Sequence, residues 1–598
     1  MYQYTEFDRQ FIRQRAAQYR DQLERNLAGT LSDDEFRPLR LQNGWYVQRF
    51  APMLRVAVPY GELSSRQLRV LARIAREYDC KDDNHLDRAN PGLSDLASLP
   101  SGYAHFTTRH NLQYNWIPLH RSADVMDLLA SVDMHGIQTS GNCIRNITSD
   151  ERAGIAVDEI ADPRPYCEIL RQWSTLHPEF AFLPRKFKIA VTGAVEDRAA
   201  TYWHDVGLHL HKDAQGALGF RVLVGGGMGR TPVIASVIRE FLPWDQILNY
   251  LEAVVRVYNR WGRRDNLYKA RIKILVKAEG ERFTREVEEE YAQIVTQDGA
   301  PHTITQAEFD RIAASFVPPV RGGEGAAPAP QRTLSAAEQR DFDRWLQQNV
   351  APHRDPALRA VTLSFKRPGY APGDATADQL DLAADLAERF SAGEARVSHD
   401  QNLVLPWVQA TELQALWQAA RDAGWARANI RLLTDMIACP GGDFCALANA
   451  RSLPIAHAIT ERYQDMDELH DLGEIDLHIS GCINSCGHHH SGHIGILGVD
   501  KDGQEWYQIT LGGSDGSTLS GAATPGKVVG PSFAAAEVPD VIEALLDTYR
   551  VYRTGAGQRS ETFIDTLRRV GPDPFRSAAN GARRSTARIS TPQSTETV

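Results

Sequence analysis

Cysteine is scarce in this chain, with seven residues among 598, and apolar residues never form a long run. No segment approaches the roughly 20 apolar residues that cross a bilayer, which excludes a membrane-spanning protein. The first residues, MYQYTEFDRQFIRQR, are rich in charge and lack the apolar stretch of a secretory signal. Cys80, Cys143 and Cys167 are scattered and give no disulfide framework. We therefore expect a cytoplasmic protein without membrane contacts.

Nucleotide-binding fingerprints are absent too. The chain has no Walker A motif. Its glycine-rich segment, VLVGGGMGRT at 222–231, reads G-x-G-x-G from Gly225 and has Arg230 where the dinucleotide fingerprint requires its third glycine. The segment therefore does not predict an NAD(P)H or flavin site. Its backbone amides at 225–229 remain candidates for holding an anionic group.

Positive charge is in deficit across the chain as a whole. Lys and Arg number 66 against 76 acidic residues, which gives a net charge of −10. This balance argues against a general nucleic-acid-binding protein. The hydrophobic content of 42% and charged content of 24% are typical of a globular protein. The length allows about three or four domains.

Three segments have the composition of connections or tails. Residues 318–334, PPVRGGEGAAPAPQRTL, are rich in Pro, Gly and Ala and are expected to form an extended linker. Residues 571–598 contain few apolar side chains and are expected to be a disordered tail. Residues 79–101 are polar and turn-rich and are interpreted as an inserted surface loop.

The two sides of the linker resemble each other, which indicates a duplication and a pseudo-twofold α+β molecule. Each side predicts strand, helix, strand and helix in the same order, at 53–61, 64–78, 105–113 and 123–131, and again at 360–366, 377–390, 395–405 and 411–423. Two further strands recur, because 186–193 resembles 475–481 and 219–226 resembles 506–513.

Four of the seven cysteines fall in two close pairs. Cys439 and Cys445 lie in C-P-G-G-D-F-C, and Cys482 and Cys486 lie in G-C-I-N-S-C-G. Such pairs can hold a [4Fe–4S] cluster or a zinc ion. The intervening lengths of five and three residues, with small glycines around them, favour the cluster over zinc. Four unrelated buried cysteines are the remaining alternative.

The first copy carries basic residues where the second carries cysteines. Arg109 and Arg145 occur in T-T-R-H-N and G-N-C-I-R-N, and Lys186 and Lys188 alternate on a predicted strand, so both lysines share one face. Arginine suits bidentate capture of oxyanions, and lysine supplies compact charge and can donate a proton. An ordinary solvated strand face is the alternative for either lysine.

A run of histidines, His488, His489, His490 and His493, also suggests a metal site. Four histidines in six residues cannot converge on one ion without special loop geometry. We therefore favour a solvated or core histidine cluster. Cys143, two residues before Arg145, is likewise interpreted as an inert buried cysteine rather than a reactive thiol.

Together these residues resemble the sirohaem-dependent sulfite and nitrite reductases, and among them the haemoprotein (beta) subunit of assimilatory sulfite reductase. The resemblance covers about residues 35–570. It rests on T-T-R-x-N-x-Q at 107–113, S-G-N-C-I-R-N at 140–146, L-P-R-K-F-K at 183–188, V-G-G-G-M-G-R-T at 224–231, A-R-I-K at 270–273 and the two cysteine pairs.

The resemblance implies specific roles for residues. The four cysteines would ligate a [4Fe–4S] cluster, and Cys486 would also bridge to the sirohaem iron. Arg109, Arg145, Lys186 and Lys188 would line the substrate side. Further sirohaem contacts are implied for Asn484, Gln113, Arg185, Gly226, Gly227, Arg230, Arg264 and Lys273. The residues before A-R-I-K follow the family pattern only loosely, which weakens the expectation for Arg264.

The resemblance also implies the domain organisation. We expect an N-terminal helical segment (1–35), two ferredoxin-like halves (36–130 and 335–428) that pair, and two related catalytic lobes (131–317 and 429–570). The N-terminal segment is a candidate docking site for an electron donor.

The function implied is six-electron reduction of sulfite to sulfide in assimilatory sulfur metabolism, with reduction of nitrite to ammonia as the alternative. A non-catalytic metal-binding scaffold is the alternative of another class. Because the sequence has no flavin or NADPH module, electrons would come from an NADPH-dependent flavoprotein subunit or from ferredoxin.

Overall fold

The computed structural model describes residues 1–48, 52–81, 100–318, 332–517, 520–555 and 560–589. The chain divides into two compact units. Unit 1 comprises Met1–Gly227, Pro232–Phe365 and Gly373–Ala426, and unit 2 comprises Met228–Thr231, Lys366–Pro372 and Arg427–Val598. Residues 82–99 of the expected insertion and 319–331 of the expected linker lie outside the described residues.

Unit 1 begins with helices and a first small sheet. The elements are α1 (Glu6–Leu27), α2 (Asp33–Gln42), β1 (Trp45–Val47), β2 (Pro52–Val56), β3 (Glu62–Ser64), α3 (Ser65–Glu77), β4 (Tyr103–Phe106), β5 (Leu112–Tyr114) and α4 (Ser122–Ala130). Thr5, Ser32 and Ser64 close capping boxes at the starts of α1, α2 and α3. The N-terminal segment is therefore helical, as expected. Its helix α1 buries Ile12, Tyr19 and Leu23.

The middle of unit 1 is a four-stranded sheet packed against helices. It contains α5 (Arg164–Ser174), β6 (Ile189–Thr192), β7 (Val206–Lys212), β8 (Leu218–Val224), β9 (Ser236–Pro243), α6 (Ile247–Trp261), α7 (Ile272–Glu279), α8 (Glu281–Thr296) and α9 (Gln306–Ala314). Strands β6 and β7 are parallel, whereas β8 and β9 continue antiparallel. Apolar residues of β6–β8, α5 and α6 form one continuous core.

The second half of the pair completes unit 1. It consists of α10 (Ala336–Asn349), β10 (Val350–Pro352), β11 (Leu358–Leu363), β12 (Asp374–Thr376), α11 (Ala377–Phe390), β13 (Glu394–Val397), β14 (Leu403–Gln409) and α12 (Leu413–Asp422). The two halves exchange strands, because the sheet orders are β1-β2-β5-β4-β12 and β10-β11-β14-β13-β3. Each half therefore supplies one edge strand to the sheet of the other.

The structure corrects the sequence prediction of single long strands at 105–113 and 395–405. Each is a hairpin, β4–β5 and β13–β14, with a tight polar turn in the middle. Thr107 and Ser398 donate their N–H groups to the carbonyls of Asn111 and Asn402, 2.9 and 3.0 Å away. His110 and Gln401 adopt positive φ in the turns, which a strand cannot accommodate.

Unit 2 is built on a mixed sheet. It contains β15 (Ile437–Ala438), α13 (Leu453–Arg462), α14 (Met466–Leu472), β16 (Leu477–Ser480), β17 (Ile494–Lys501), β18 (Gln504–Leu511), β19 (Lys527–Val528), β20 (Phe533–Ala534), α15 (Val538–Tyr552), α16 (Phe563–Val570) and α17 (Asp573–Ile589). Strands β15, β16 and β17 are parallel, and β18 is antiparallel to β17. The order β16-β17-β18-β19 repeats the directions of β6-β7-β8-β9. The duplicated α+β fold is thus confirmed.

The expectation of a disordered tail over 571–598 is wrong for the described part of it. Helix α17 covers most of that range, and its Phe575 and Ala579 are fully buried in the core of unit 2. Two apolar residues at helical spacing suffice to dock the helix, although the segment has few of them. Within the described ranges, no helix is long and apolar enough to cross a membrane.

We predict that Phe575→Ala lowers the free energy of unfolding of unit 2 by about 3–5 kcal/mol, because it leaves a cavity in that core. Urea unfolding followed by circular dichroism measures the change. Ser577→Ala, on the exposed side of the same helix, is the control and should be neutral. Equal stability of the two variants would show that α17 does not contribute to the core.

Candidate metal centre and cationic site

The two cysteine pairs follow two adjacent parallel strands of unit 2. Cys439 comes directly after β15 and Cys482 follows β16 after one glycine, so both pairs start at the same edge of the sheet. The N–H of Cys439 donates to the Ile479 carbonyl at 3.2 Å, which extends the pairing to the first cysteine. Cys445 ends the turn that begins at Gly441, to whose carbonyl it donates at 2.9 Å.

The sulfur atoms of Cys439 and Cys482 accept hydrogen bonds and are largely buried. The Gly481 N–H donates to Cys439 Sγ at 3.2 Å, and the Ser452 hydroxyl lies 3.5 Å from the same sulfur. Burial raises the pKa of the Cys439 thiol to about 12, and the nearby Cys486 adds to the effect. Burial also raises the pKa of Cys482 to about 11, opposed by hydrogen bonds from Asn484. Cations that replace these protons would relieve the repulsion among the sulfurs.

The sulfur atoms are not gathered within the span of a single small ion. All four cysteines lie in described parts of the chain, and no three of their sulfur atoms are within 4.8 Å of one another. Tetrahedral zinc with Zn–S bonds of about 2.3 Å would place its sulfurs about 3.8 Å apart. A cubane holds each thiolate on a different iron and therefore spreads them more widely. The arrangement fits a [4Fe–4S] cluster.

Glycine is required where the second pair folds against β16. A Cβ atom on Gly487 would lie 1.9 Å from the Ile479 carbonyl oxygen, and one on Gly481 would lie 2.5 Å from the Ala450 oxygen. Ser485, between the cysteines, has a φ of 56°. Its hydroxyl lies 3.7 Å from the sulfur of Met228, in the short segment of the glycine-rich sequence that belongs to unit 2.

The histidine run forms a buried cluster with separate partners rather than a metal site. His490 Nε2 bonds to the Gly229 carbonyl at 2.9 Å, and His493 Nε2 bonds to the Ser520 hydroxyl at 2.8 Å. His489 is fully buried. Within the described residues, these rings do not meet as a group of three ligands. Most of these rings are therefore buried in the core, and two of them have separate hydrogen-bond partners.

The cationic residues of unit 1 come from four separate segments. Arg109 lies in the β4–β5 turn, where it donates to the Asn146 carbonyl at 2.7 Å and to the Thr148 hydroxyl at 3.2 Å. Burial lowers the pKa of Arg109 to about 9, and Arg145 among its neighbours lowers it too. Arg145 donates to the Thr139 and Gly141 carbonyls. The two arginines are therefore held by backbone oxygens.

The lysines lie just before a strand rather than on one, which corrects their predicted position, although buried Phe187 still alternates with the two half-buried lysines. Strand β6 begins at Ile189, and the Lys188 N–H donates to the Asp205 carboxylate at 2.9 Å. That side-chain partner replaces the backbone partner that a strand would use. Burial, followed by Arg109 and Lys186, holds the pKa of Lys188 well below its usual value. Both lysines nevertheless reach the same cationic group.

Two residues central to this group were missed by the sequence analysis. Asp205 is fully buried and accepts a bidentate contact from Arg271, at 2.7 and 2.8 Å. Arg271 lowers the pKa of Arg109, Lys188 and Lys273. Arg271 belongs to the A-R-I-K motif, so that motif contained the signal. Nothing near Asp205 in the sequence marks it.

Lys273 is the most buried lysine of the group. It donates to the Gly227 carbonyl at 3.2 Å and is 4% exposed. Burial lowers the pKa of Lys273 to about 8, and the neighbouring Arg271 and Lys186 contribute while Asp205 opposes. The Tyr46 ring lies 5.5 Å from the Arg55 guanidinium. Burial acts to raise the pKa of its phenol, but Arg145, Arg55 and Lys186 together lower it below its usual value.

The remaining candidates are distributed more widely. Arg185 is half-buried, and burial and Arg271 lower its pKa. Gln113 is buried between Arg55 and Asn115, at 3.2 and 3.1 Å. Arg264 is exposed and donates to the Phe182 carbonyl at 2.8 Å.

Other candidates sit on backbone turns or in unit 2. Asn484 contacts the Cys482 sulfur, and Arg230 is exposed in unit 2. Cys143 is half-buried, and burial raises its pKa, which fits an inert thiol.

The expected anion-binding amides of the glycine-rich segment are partly occupied. Gly225 N–H donates to the Asp205 carbonyl and Gly227 N–H donates to the Val233 carbonyl, both at 2.9 Å. These two amides therefore make hydrogen bonds within the fold, and the sirohaem contact implied for Gly227 stays a prediction. A Cβ on Gly226 would lie 2.4 Å from the Tyr202 oxygen, so glycine is needed there for packing.

A duplicated α+β fold with paired thiolates in one copy and clustered cations in the other defines a class of redox enzymes. The nitrite and sulphite reductase 4Fe-4S domain matches residues 140–295 and 431–585, and the nitrite/sulfite reductase ferredoxin-like half domain matches 359–423. The chain belongs to the nitrite and sulphite reductase family, which uses sirohaem and a [4Fe–4S] cluster to reduce either anion by six electrons.

Named relatives include enzymes for both anions. The assimilatory ferredoxin-dependent nitrite reductase of Haloferax mediterranei is 27% identical over 87% of this chain and 82% of its own. Sulfite reductase [ferredoxin] 1 of Mycolicibacterium paratuberculosis is 27% identical over 78% and 74%. Ferredoxin–nitrite reductase of Synechococcus elongatus is 29% identical over 85% and 87%.

A solved structure supports the fold. The Mycobacterium tuberculosis NirA protein superimposes with a TM-score of 0.71 and 23% identity, over 93% of this chain and 94% of that one. The four cysteines of unit 2 are the residues that would hold the cluster. When bound, the two cofactors supply the electron storage and transfer that no side chain provides.

We predict that Gly487→Ala reduces the iron and acid-labile sulfide content of the purified protein, because the methyl group collides with the Ile479 carbonyl beside the cluster ligands. Gly581→Ala in α17 is the matched control, since its Cβ meets no described atom within 4 Å. Iron analysis per chain measures both. Full iron content in Gly487→Ala would show that the cysteine loop tolerates displacement.

We predict that the KM for nitrite rises above pH 8, because the Lys273 ammonium, with a pKa of about 8, loses its positive charge there. The expected increase is roughly tenfold, the size of one charge-assisted interaction. Nitrite is the probe because its own titration lies far below this range. Lys273→Arg keeps its charge above pH 8 and should give a much smaller rise, and a wild-type-like rise in that variant would refute the assignment.

Proposed function

We propose that this protein reduces sulfite to sulfide for assimilation of sulfur. The observation that carries the proposal is the excess of positive charge around Lys188. Burial lowers the pKa of Lys188 most, the neighbouring Arg109, Lys186 and Arg271 lower it further, and Asp205 opposes them. Because Asp205 is engaged by Arg271, most of this positive charge remains uncompensated.

An anion of higher charge gains more from such a site. Sulfite is a dianion with three oxygens when fully deprotonated, whereas nitrite carries one negative charge on two oxygens. Preorganised cations stabilise charge most strongly where burial has removed water. Arg109 is only 8% exposed, so its cation acts in a partly dehydrated setting. The site therefore favours sulfite on charge, although nitrite can also bind.

The same residues supply protons. Each oxygen of the substrate leaves as water, and the protons must arrive where the oxygen departs. A lysine whose pKa is lowered can donate a proton near neutral pH and recover it from solvent. Lys188, whose pKa burial and neighbouring cations lower, is the proposed donor. Arg109 and Arg145 would orient the anion through their remaining guanidinium edges.

Ferredoxin is the proposed electron donor. The chain contains no dinucleotide fingerprint, and the three relatives described above are all named as ferredoxin-dependent. An NADPH-dependent flavoprotein subunit is the alternative donor. Docking at the N-terminal segment stays a hypothesis. Its deletion would also remove core residues of α1, so changes to its exposed charges give a cleaner test.

The test is steady-state kinetics on the cofactor-replete protein with both anions and reduced methyl viologen. We expect kcat/KM for sulfite to exceed that for nitrite. Lys186→Gln should raise the KM for sulfite roughly tenfold, and more than the KM for nitrite, because the dianion loses the larger Coulombic attraction. A larger kcat/KM for nitrite would contradict the proposal and identify nitrite as the substrate.

The control is Lys212→Gln, which removes an exposed lysine at the end of β7. It should leave both KM values unchanged. If Lys212→Gln changes them as much as Lys186→Gln does, the effect is one of total charge and not of this site.

A further inference from the structure

A second metal site is suggested by three side chains of unit 1 that the proposed function does not use. His177 follows α5, Glu252 lies in the middle of α6, and His302 lies in the connection from α8 to α9. One nitrogen of each histidine and one carboxylate oxygen of Glu252 lie within 4.8 Å of one another. Two imidazoles and one carboxylate form a common ligand set for zinc.

The carboxylate of Glu252 has a buried oxygen that lacks a hydrogen bond. Glu252 is 2% exposed, and among the described residues its Oε2 has no donor in hydrogen-bond geometry. His302 Nε2 lies only 2.6 Å from this oxygen. A proton on the His302 ring would pair with this buried oxygen, and a metal cation bound to both atoms would take the place of that proton.

The other oxygen of Glu252 is already fixed. Arg256 Nη2 lies 2.5 Å from Oε1, one helical turn along α6. This contact leaves Oε2 for a single metal bond. The positive charge of Arg256 is shared with Glu179, Glu290 and Asp298, each 3.5 Å away. The surroundings therefore keep an acidic excess that favours a cation.

The backbone around His302 is held in place before any ligand binds. Its N–H donates to Asn249 Oδ1 at 3.0 Å, and the side-chain amide of Asn249 donates to the Thr303 hydroxyl at 3.1 Å. Ile304 N–H donates to the Asp245 carbonyl at 2.9 Å. These contacts tie the α8–α9 connection to the start of α6, which also carries Glu252. Two of the three ligands are thus preorganised.

His177 is the more adaptable ligand. Its ring stacks on Phe180 with centroids 3.9 Å apart. Its Nδ1 accepts the Glu179 N–H at 3.3 Å. Metal binding would break this long contact, whichever ring nitrogen becomes the ligand, because the other nitrogen would then carry the proton. Both histidines are partly exposed, which gives the ion a path from solvent and leaves a position for water.

We propose that His177, Glu252 and His302 bind a zinc ion that fastens the end of α5 and the α8–α9 connection to α6. The fourth position would be occupied by water. The site shares no residue with the four cysteines or with the cationic group of unit 1. It can therefore be tested without reference to the reaction.

The test is zinc analysis and zinc K-edge absorption spectroscopy of the cofactor-replete full chain after equilibration with Zn²⁺ and gel filtration. We expect about one zinc per chain with only nitrogen and oxygen ligands, at about 2.0–2.1 Å. His302→Gln and His177→Gln should each lose this zinc. His120→Gln, which removes an exposed histidine elsewhere in unit 1, should keep it.

The Tm of each variant gives a second readout of zinc binding, beside the zinc content. Zn²⁺ should raise the Tm of the wild-type chain and of His120→Gln, but not that of the two ligand variants. A metal that binds the folded chain and not the unfolded chain stabilises the folded state, and the ligand variants lack the site. Iron content and circular dichroism verify that each variant folds. Sulfur ligands at about 2.3 Å would mean that zinc had entered the cysteine site. That result, no retained zinc, or zinc retained in both ligand variants would overturn the proposal.

Discussion

The constraint on which unit 1 depends is the accumulation of like charge in a small buried volume. Cations repel one another and lose hydration when they are brought together, so the fold must hold them by other means. Backbone carbonyls hold Arg109 and Arg145, and the Asp205 carboxylate holds Arg271. The lowered pKa of Lys188 is the direct consequence of this crowding. The crowding of cations that costs folding free energy is thus the same crowding that lowers the pKa of Lys188.

Unit 2 has a different constraint, because it must hold four sulfur atoms apart while keeping them near one edge of its sheet. Parallel pairing of β15 and β16 brings the two pairs together, and Gly481 and Gly487 let the loops approach the backbone. The same strand order therefore carries clustered cations in unit 1 and paired cysteines in unit 2. In each copy the reactive side chains lie in turns beside strands, where the backbone can be adapted without disturbing the core.

The sequence predicted the duplication, the cysteine pairs and most of the helices, because these depend on local patterns. It failed where a turn or a side-chain hydrogen bond, rather than the apolar pattern, decides the local structure. Thr107 and Asn111 close a turn inside what looked like one strand, and the Lys188 N–H bonds to the Asp205 carboxylate although its carbonyl still pairs with β7. Helix α17 was missed because it is docked by a few buried residues such as Phe575, and the average composition of the segment does not reveal so small a number of apolar contacts.

The exchanged strands have a consequence for how the protein is made. Ser64 of β3 pairs with Glu394 of β13, and Asp374 of β12 pairs with His105 of β4. Neither sheet of the pair is complete until most of the chain has left the ribosome, because each needs a strand from the other half. Contacts so distant in sequence form slowly, and open sheet edges attract other chains in the meantime. During synthesis, one edge of β4 and one edge of β3 therefore stay unpaired until β12 and β13 have been made.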